Sequence, residues 1–287
     1  MWLLIAVLSA LLFGMSGLLM KVSQMQRGSL SHLLFGLFLS GSIGFGIHAF
    51  WTSSTDWLDW KLWIGGLLVG MGAAWGNLIF MKVLEYGPAS LSSPLMNMNI
   101  VVVILLSVWV YHESIQWNEW AGISFLLGAV VLISIRKEPW TVTEKKWFLL
   151  IGAAILLFTF RNGGLKVTSE QLLNNTQVLF IAYILSTVWF FFSAFLSKRH
   201  PNAKSASDHA PRIGLLWGLA CGVFSYGGLQ LYAVALDQGK ASIIAPIFAT
   251  NSLVIALGSI FIYKERLSQK QLLALVFMFC GLIVIKL

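Results

Sequence analysis

Charge is what this sequence has least of. Only 10% of its 287 residues are Asp, Glu, Lys or Arg, against about 25% in a soluble domain. With 58% hydrophobic residues and a mean hydropathy of +0.82, that shortage excludes an ordinary soluble enzyme and a disordered chain. Cysteine is scarce as well. Cys221 and Cys280 both lie inside apolar runs and read as small hydrophobes, which leaves no disulfide scaffold or Cys/His metal centre. All eleven acids sit in loops or near the ends of apolar runs. There is no G-x-x-x-x-G-K-[ST] stretch, so ATP is not expected to act directly. The H-E-x-x-H pattern starts at His112-Glu113 and fails at Gln116, and no G-x-S-x-G is present, so no enzyme and no cofactor are expected. The net charge of +8 is not gathered on an amphipathic face with interleaved aromatics, so no nucleic-acid partner is expected either.

What the chain has instead is apolar length. A membrane-spanning helix needs roughly 20 apolar residues. Ten such runs are present, at 2–21, 31–51, 62–84, 88–111, 117–135, 147–167, 177–197, 213–236, 241–263 and 269–286. They are continuously apolar and twice as long as a barrel strand, so the fold class is an all-α integral membrane protein. The loops are short, and the longest, 136–146 and 198–212, cannot hold a soluble domain. The first run begins Met1-Trp2-Leu3, with no basic segment before it and no A-x-A site after it, and is expected to be retained. Basic residues separate by side. Fourteen fall on the side reached after the odd-numbered spans (side A), and four, Lys61, Lys166, Lys240 and Lys286, on the other (side B). The positive-inside rule then makes side A cytoplasmic and both termini external.

The sequence repeats itself. At a constant offset of 152, Gly87, Ala89, Ser90, Pro94, Asn99, Tyr111 and Glu113 meet Gly239, Ala241, Ser242, Pro246, Asn251, Tyr263 and Glu265. At an offset of 145, Leu11-Leu12-Phe13 meets Leu156-Leu157-Phe158, and Lys21 meets Lys166. Leu and Val recurrences alone would mean little, but Pro, Asn and Glu in one register are hard to obtain by chance. The units are 1–137 and 138–287. Each has five spans, an odd number, so the second enters the membrane inverted. Loop charges agree: the stretch 112–119 has no Lys or Arg, while its counterpart 264–270 has three. Inverted repeats around a midplane site are a common architecture of secondary transporters.

Three features carry a resemblance to a known family. They are the Lys closing the first span of each half, the Gly/Ala-to-Pro stretch opening spans four and nine, and the Tyr-x-Glu exits at Tyr111-His112-Glu113 and Tyr263-Lys264-Glu265. In these the chain resembles the EamA-type members of the drug/metabolite transporter superfamily, over essentially its whole length. The resemblance implies alternating access through a central cavity and a small-molecule substrate such as an amino acid, organic acid or cofactor-like solute; the very short loops and the lack of a targeting segment lead to the expectation of a prokaryotic plasma membrane. It also implies cytoplasmic termini, opposite to the charge count. Proton or counter-solute coupling fits the class, a monomer suffices because both halves lie in one chain, and a homodimer is compatible. A flippase of amphiphilic or lipid-linked compounds is the alternative, and a non-transporting scaffold a more remote one. The small multidrug-resistance relatives use a carboxylate in the first span, where this chain has only Gly14, Ser16 and Gly17.

The candidate site follows from polar residues inside the spans. Arg161 lies fourteen residues into span six, a depth at which a guanidinium is expensive unless it faces a wet cavity or a partner. It reads as the cationic pole for a carboxylate or phosphate; snorkelling toward side B is the alternative. Asn77, Asn99 and Asn251 are intramembrane amides, fit for substrate contact or for interhelical glue. Tyr226 and Gln230, spaced i, i+4, share one face of span eight. Trp75 could stack on a planar substrate. Pro94 and Pro246 each free a carbonyl, at Ser90 and Ser242, and are the expected hinges. Small residues four apart, Gly36-Ser40-Gly44 and Gly214-Gly218-Gly222, mark close helix packing.

Overall fold

The computed structural model describes residues 1–52, 57–86, 96, 98–134, 145–196, 210–263 and 269–286. Among them it is all-helical, apart from one isolated bridge between Gly28 and Ala210. The helices are α1 (Trp2–Met25), α2 (Leu30–Thr52), α3 (Trp60–Tyr86), α4 (Asn99–Trp109), α5 (Trp117–Ser134), α6 (Lys145–Glu170), α7 (Asn175–Phe191), α8 (Pro211–Gln238), α9 (Ala241–Ala249), α10 (Asn251–Tyr263) and α11 (Gln269–Lys286). Six stretches, in α1, α2, α3, α6, α7 and α8, are long and apolar enough to cross a membrane; α4, α5, α9–α10 and α11 contribute shorter apolar stretches. A helix satisfies its own backbone groups, which is why long apolar runs in lipid adopt it. Large apolar side chains such as Leu4, Phe50, Leu216 and Phe279 stay exposed, as a lipid-facing surface requires. Trp51, Trp60 and Trp117 are exposed at the side-B helix ends, where an interfacial aromatic belt belongs.

Two spans depart from the expected runs. Span nine is not one helix. It breaks at Thr250, between α9 and α10, four residues after Pro246. Span four turns at Met98 before α4 begins. Met98 and Thr250 are repeat mates, and each is followed by an Asn whose amide donates to the carbonyl three residues back: Asn99 to Met96 at 2.6 Å and Asn251 to Phe248 at 2.7 Å. The same local hydrogen bond thus recurs at equivalent positions in both halves. Pro94, the matching hinge residue, and the 137/138 boundary lie outside the described residues. Span seven finishes in a π turn, Phe192–Leu196.

Packing follows a pseudo-two-fold pattern. α1 packs on α8 as α6 packs on α3; α2 packs on α8 as α7 packs on α3; α1 meets α10 as α6 meets α4. Two pairs of repeat mates, α2–α7 and α5–α11, meet each other directly, and α4 of the first half meets α9 of the second. Nearly all the extensive contacts thus join one half to the other, and the halves are interleaved. The closest approach is between α2 and α8, along the small residues identified in the sequence. A Cβ on Gly36 would come within 2.7 Å of the Leu215 carbonyl, and Ser40 Oγ donates to the Leu219 carbonyl at 2.8 Å.

Candidate functional site

The interleaving brings the first spans of the two halves around one cation. Arg161 of α6 is 7% exposed, so it does not snorkel to side B. Its guanidinium lies 5.1 Å from the Phe13 ring of α1 and 4.7 Å from the Phe158 ring of α6. Phe13 and Phe158 are repeat mates, so the charge sits where the two halves face each other. Their ring faces offer a cation–π cradle. Arg161 Nε donates to Asn162 Oδ1 at 3.0 Å, and Asn162 Nδ2 donates to Asn99 Oδ1 at 2.9 Å. That chain ties the Arg to the start of α4 at the span-four break. Tyr232 and Tyr183 lie within electrostatic reach of the guanidinium. The Tyr232 ring lies 4.4 Å from Phe248, which lies 5.0 Å from Phe13. Among the described residues, the buried Tyr232 hydroxyl has no hydrogen-bond partner. Among the described residues, the terminal guanidinium nitrogens meet neither a carboxylate nor an acceptor. The arrangement can grip an anion: four N–H donors in a fixed fork, flanked by aromatic rings.

The other expected site residues are placed differently. Asn77 donates to the Ala73 carbonyl of its own helix at 2.9 Å, and Asn251 is occupied by the break that it caps. Tyr226 and Gln230 do share a face of α8, but that face meets neighbouring helices. Tyr226 OH lies 3.3 Å from His48 Nδ1 of α2, and Gln230 exchanges hydrogen bonds with Thr176 of α7. Trp75 packs on Trp189 of α7, whereas Gly72 and Gly76 of the same helix meet the Arg161 backbone and the Phe158 ring. Of the residues singled out in the sequence, Arg161 and Asn99 come together. Phe13, Asn162 and Tyr232 complete the cluster. The offset of 145 that pairs Phe13 with Phe158 was the signal for the first.

A second polar cluster lies on side B. Lys166, five residues beyond Arg161 and so about 7.5 Å further along α6, pairs with Glu113 at 2.8 Å and with Glu170. Its ammonium also lies 5.4 Å from the Tyr111 ring. His112, between Tyr111 and Glu113, has φ +53°, a left-handed turn that costs about 1 kcal/mol outside glycine. The Glu113 carboxylate accepts the N–H groups of Ala241 and Ser242 at 3.0 Å each and the Ser242 hydroxyl at 2.7 Å. It thereby caps the N-terminus of α9 from the other half. Beside it, Lys240 donates to both oxygens of Glu119 at 2.9 Å. Burial works to raise the Glu113 carboxyl. The hydrogen bonds from Lys166, Ser242 and Ala241 outweigh it and hold the group below its ordinary value.

A carboxyl with a lowered folded-state pKa adds stability above its unfolded value and loses it as pH falls through the folded one. The melting midpoint in detergent should therefore drop once pH goes below the ordinary Glu range. The drop should be smaller in Glu113→Gln, as followed by intrinsic fluorescence; equal drops in both proteins would contradict the assignment.

Comparison with known proteins then adds a family. The model of the EamA-like transporter family matches residues 1–135 and 145–287. Relatives named probable 4-amino-4-deoxy-L-arabinose-phosphoundecaprenol flippase subunit ArnE, from Escherichia fergusonii and from Escherichia coli O127:H6, are 31% identical over 72 residues. That segment is 25% of this chain and spans 63% of the relative's length. A crystal structure with 13% sequence identity superposes with a TM-score of 0.79, covering 100% of this chain and 98% of that one. At that identity the likeness concerns the fold.

Proposed function

The chain belongs to the EamA-like transporter family, and from that premise we propose that it carries a small solute bearing a carboxylate or phosphate by alternating access. The membrane is taken to be the bacterial plasma membrane. The observation that carries this reading is Arg161: a buried cation between repeat-mate phenylalanines, with no acidic partner among the described residues. Burying such a charge is costly, and an anionic substrate would offset that cost each time it binds. Asn162 and Asn99 orient the guanidinium, and Tyr232 supplies a further hydrogen bond to the anion. The break at Thr250 leaves span nine in two short pieces, α9 and α10, that can tilt independently.

A second reading, a flippase of lipid-linked phosphates, draws on the relatives' name and on one feature of the surface. A mostly apolar groove of about 430 Å³ lies between α3, α4 and α6, lined by Ile64, Leu68, Leu106, Phe160 and Val167, with Lys61 among its lining residues. It runs along the outer side of the helix that carries Arg161.

A ligand-induced thermal-shift screen on purified protein tests the proposal. Amino acids, organic acids, nucleosides, vitamins, sugars and quaternary amines would be compared. The expected result is stabilisation by anionic or zwitterionic solutes. At a concentration near 100 times Kd the gain is about 2.7 kcal/mol. Stabilisation by quaternary amines alone would refute the anion reading. A silent panel, with movement of a fluorescent polyprenyl phosphate between leaflets of proteoliposomes, would favour the flippase.

A further inference from the structure

We propose that Glu113 is the latch of side B: its carboxylate locks the two halves together over the Arg161 site and must let go in each cycle. The proposal rests on the alternating-access reading. Three features far apart in sequence meet at this carboxylate: the Lys that closes the first span of a half, the Tyr-x-Glu exit of span four, and the opening of span nine. Glu113 belongs to the first half. Among the described residues, the partners of its carboxylate all belong to the second: Lys166 on α6, and Ala241 and Ser242 at the start of α9. One side chain thus holds two helices of the opposite half at once. Those two helices carry Arg161 and Phe248, both part of the cage.

The chemistry suits a contact that is made and broken. The carboxylate is 11% exposed and Lys166 5%, so the pair is shielded and strong enough to define a state. Two backbone donors and a hydroxyl satisfy the remaining lone pairs, which a static buried ion pair also requires. Among the described residues, each partner of the carboxylate is a polar group whose place water can take. Glu170, Lys240 and Glu119 surround the cluster, so solvent entering from side B would meet a charged surface. The repeat pairs Lys166 with Lys21, Ser242 with Ser90 and Glu113 with Glu265; Ser90 and Glu265 lie outside the described residues.

The test needs no substrate. Cys221 and Cys280 are replaced by Ser, and Phe13→Cys places one thiol beside Arg161. A membrane-impermeant cationic methanethiosulfonate is applied separately to whole cells and to inside-out vesicles. Glu113→Gln and Ser242→Ala should each raise the labelling rate from the side-B face, the former by about 10-fold, and leave the other face unchanged. A merely structural contact would give unchanged rates in the Gln and Ala variants, and that result overturns the latch. An equal rise from both faces would also overturn it, because the variant would then have loosened the whole chain. Absence of anion binding at Arg161, by contrast, would sink the functional proposal and leave these labelling rates as they are.

Discussion

Arg161→Ala is expected to reduce transport of the anionic solute to the vesicle background while the protein still inserts and purifies. The fork of terminal N–H donors is the only strongly cationic group placed between the facing phenylalanines of the two halves among the described residues. Hydrogen bonds to a charged group are worth about 1.5–3 kcal/mol each. Losing a bidentate pair should therefore weaken binding roughly 100-fold or more. The fold should survive because, among the described residues, Arg161 has no carboxylate that its removal would strand. Removing one member of a buried ion pair is what costs several kcal/mol. The melting midpoint without ligand should stay close to that of wild type, since an expensive buried charge disappears while the cation–π contacts and the Nε hydrogen bond to Asn162 are lost. Arg161→Lys separates charge from geometry. An ammonium keeps the charge but not the planar fork, so transport should be intermediate. Counterflow in proteoliposomes and thermal shift with the same solute measure both effects. Wild-type transport by Arg161→Ala would remove the site assignment.

The spans were legible because length and unbroken apolarity are local properties. The breaks were only half legible. Pro246 points to span nine, yet the helix runs through it and stops at Thr250, where no Gly or Pro marks the position. The Asn that follows is the better sign, since its amide takes the carbonyl that the interrupted ladder leaves free. Tyr226 and Gln230 show what periodicity cannot do. Spacing of i, i+4 says that two residues share a face, but which helix that face meets is a long-range matter. Here the neighbours are α2 and α7. The Lys166–Glu113 pair joins residues far apart in sequence and in different halves. The repeat singled out both residue types, but only the inverted packing places the Glu of one half on the Lys of the other. Phe13 was visible at an offset of 145 as the mate of Phe158, and its meaning appears only once α1 and α6 face each other across Arg161.

Gly218→Ala should be among the most damaging single-methyl additions in the chain. Its Cβ would run into the Leu33 carbonyl and come within 3.1 Å of the Gly36 Cα. Both are backbone atoms of α2, so no rotamer change can relieve the clash and the two helices must separate. Gly36 faces the same problem, with its Cβ 2.7 Å from the Leu215 carbonyl and 2.9 Å from the Leu219 amide. Separation would also break the Ser40 to Leu219 hydrogen bond. In lipid, close van der Waals packing and such bonds are most of what holds helices together, because apolar surface gains little by leaving lipid tails. Overpacking of this kind costs typically 1–3 kcal/mol when side chains can adjust, and a backbone clash should lie at or above the upper end. Gly44→Ala is the graded case: its Cβ would meet the Tyr226 ring at 2.8 Å, a side chain and not a backbone atom, so the loss should be smaller. Gly152→Ala supplies the opposite sign. It lies in α6 with nothing within 4 Å of the added methyl, and Ala is the better helix former by about 0.8–1.0 kcal/mol. Fluorescence-detected size exclusion after a heating series should rank the variants Gly152→Ala above wild type, then Gly44→Ala, then Gly218→Ala. A Gly218→Ala variant as stable as wild type would mean that α2 and α8 do not touch along this seam.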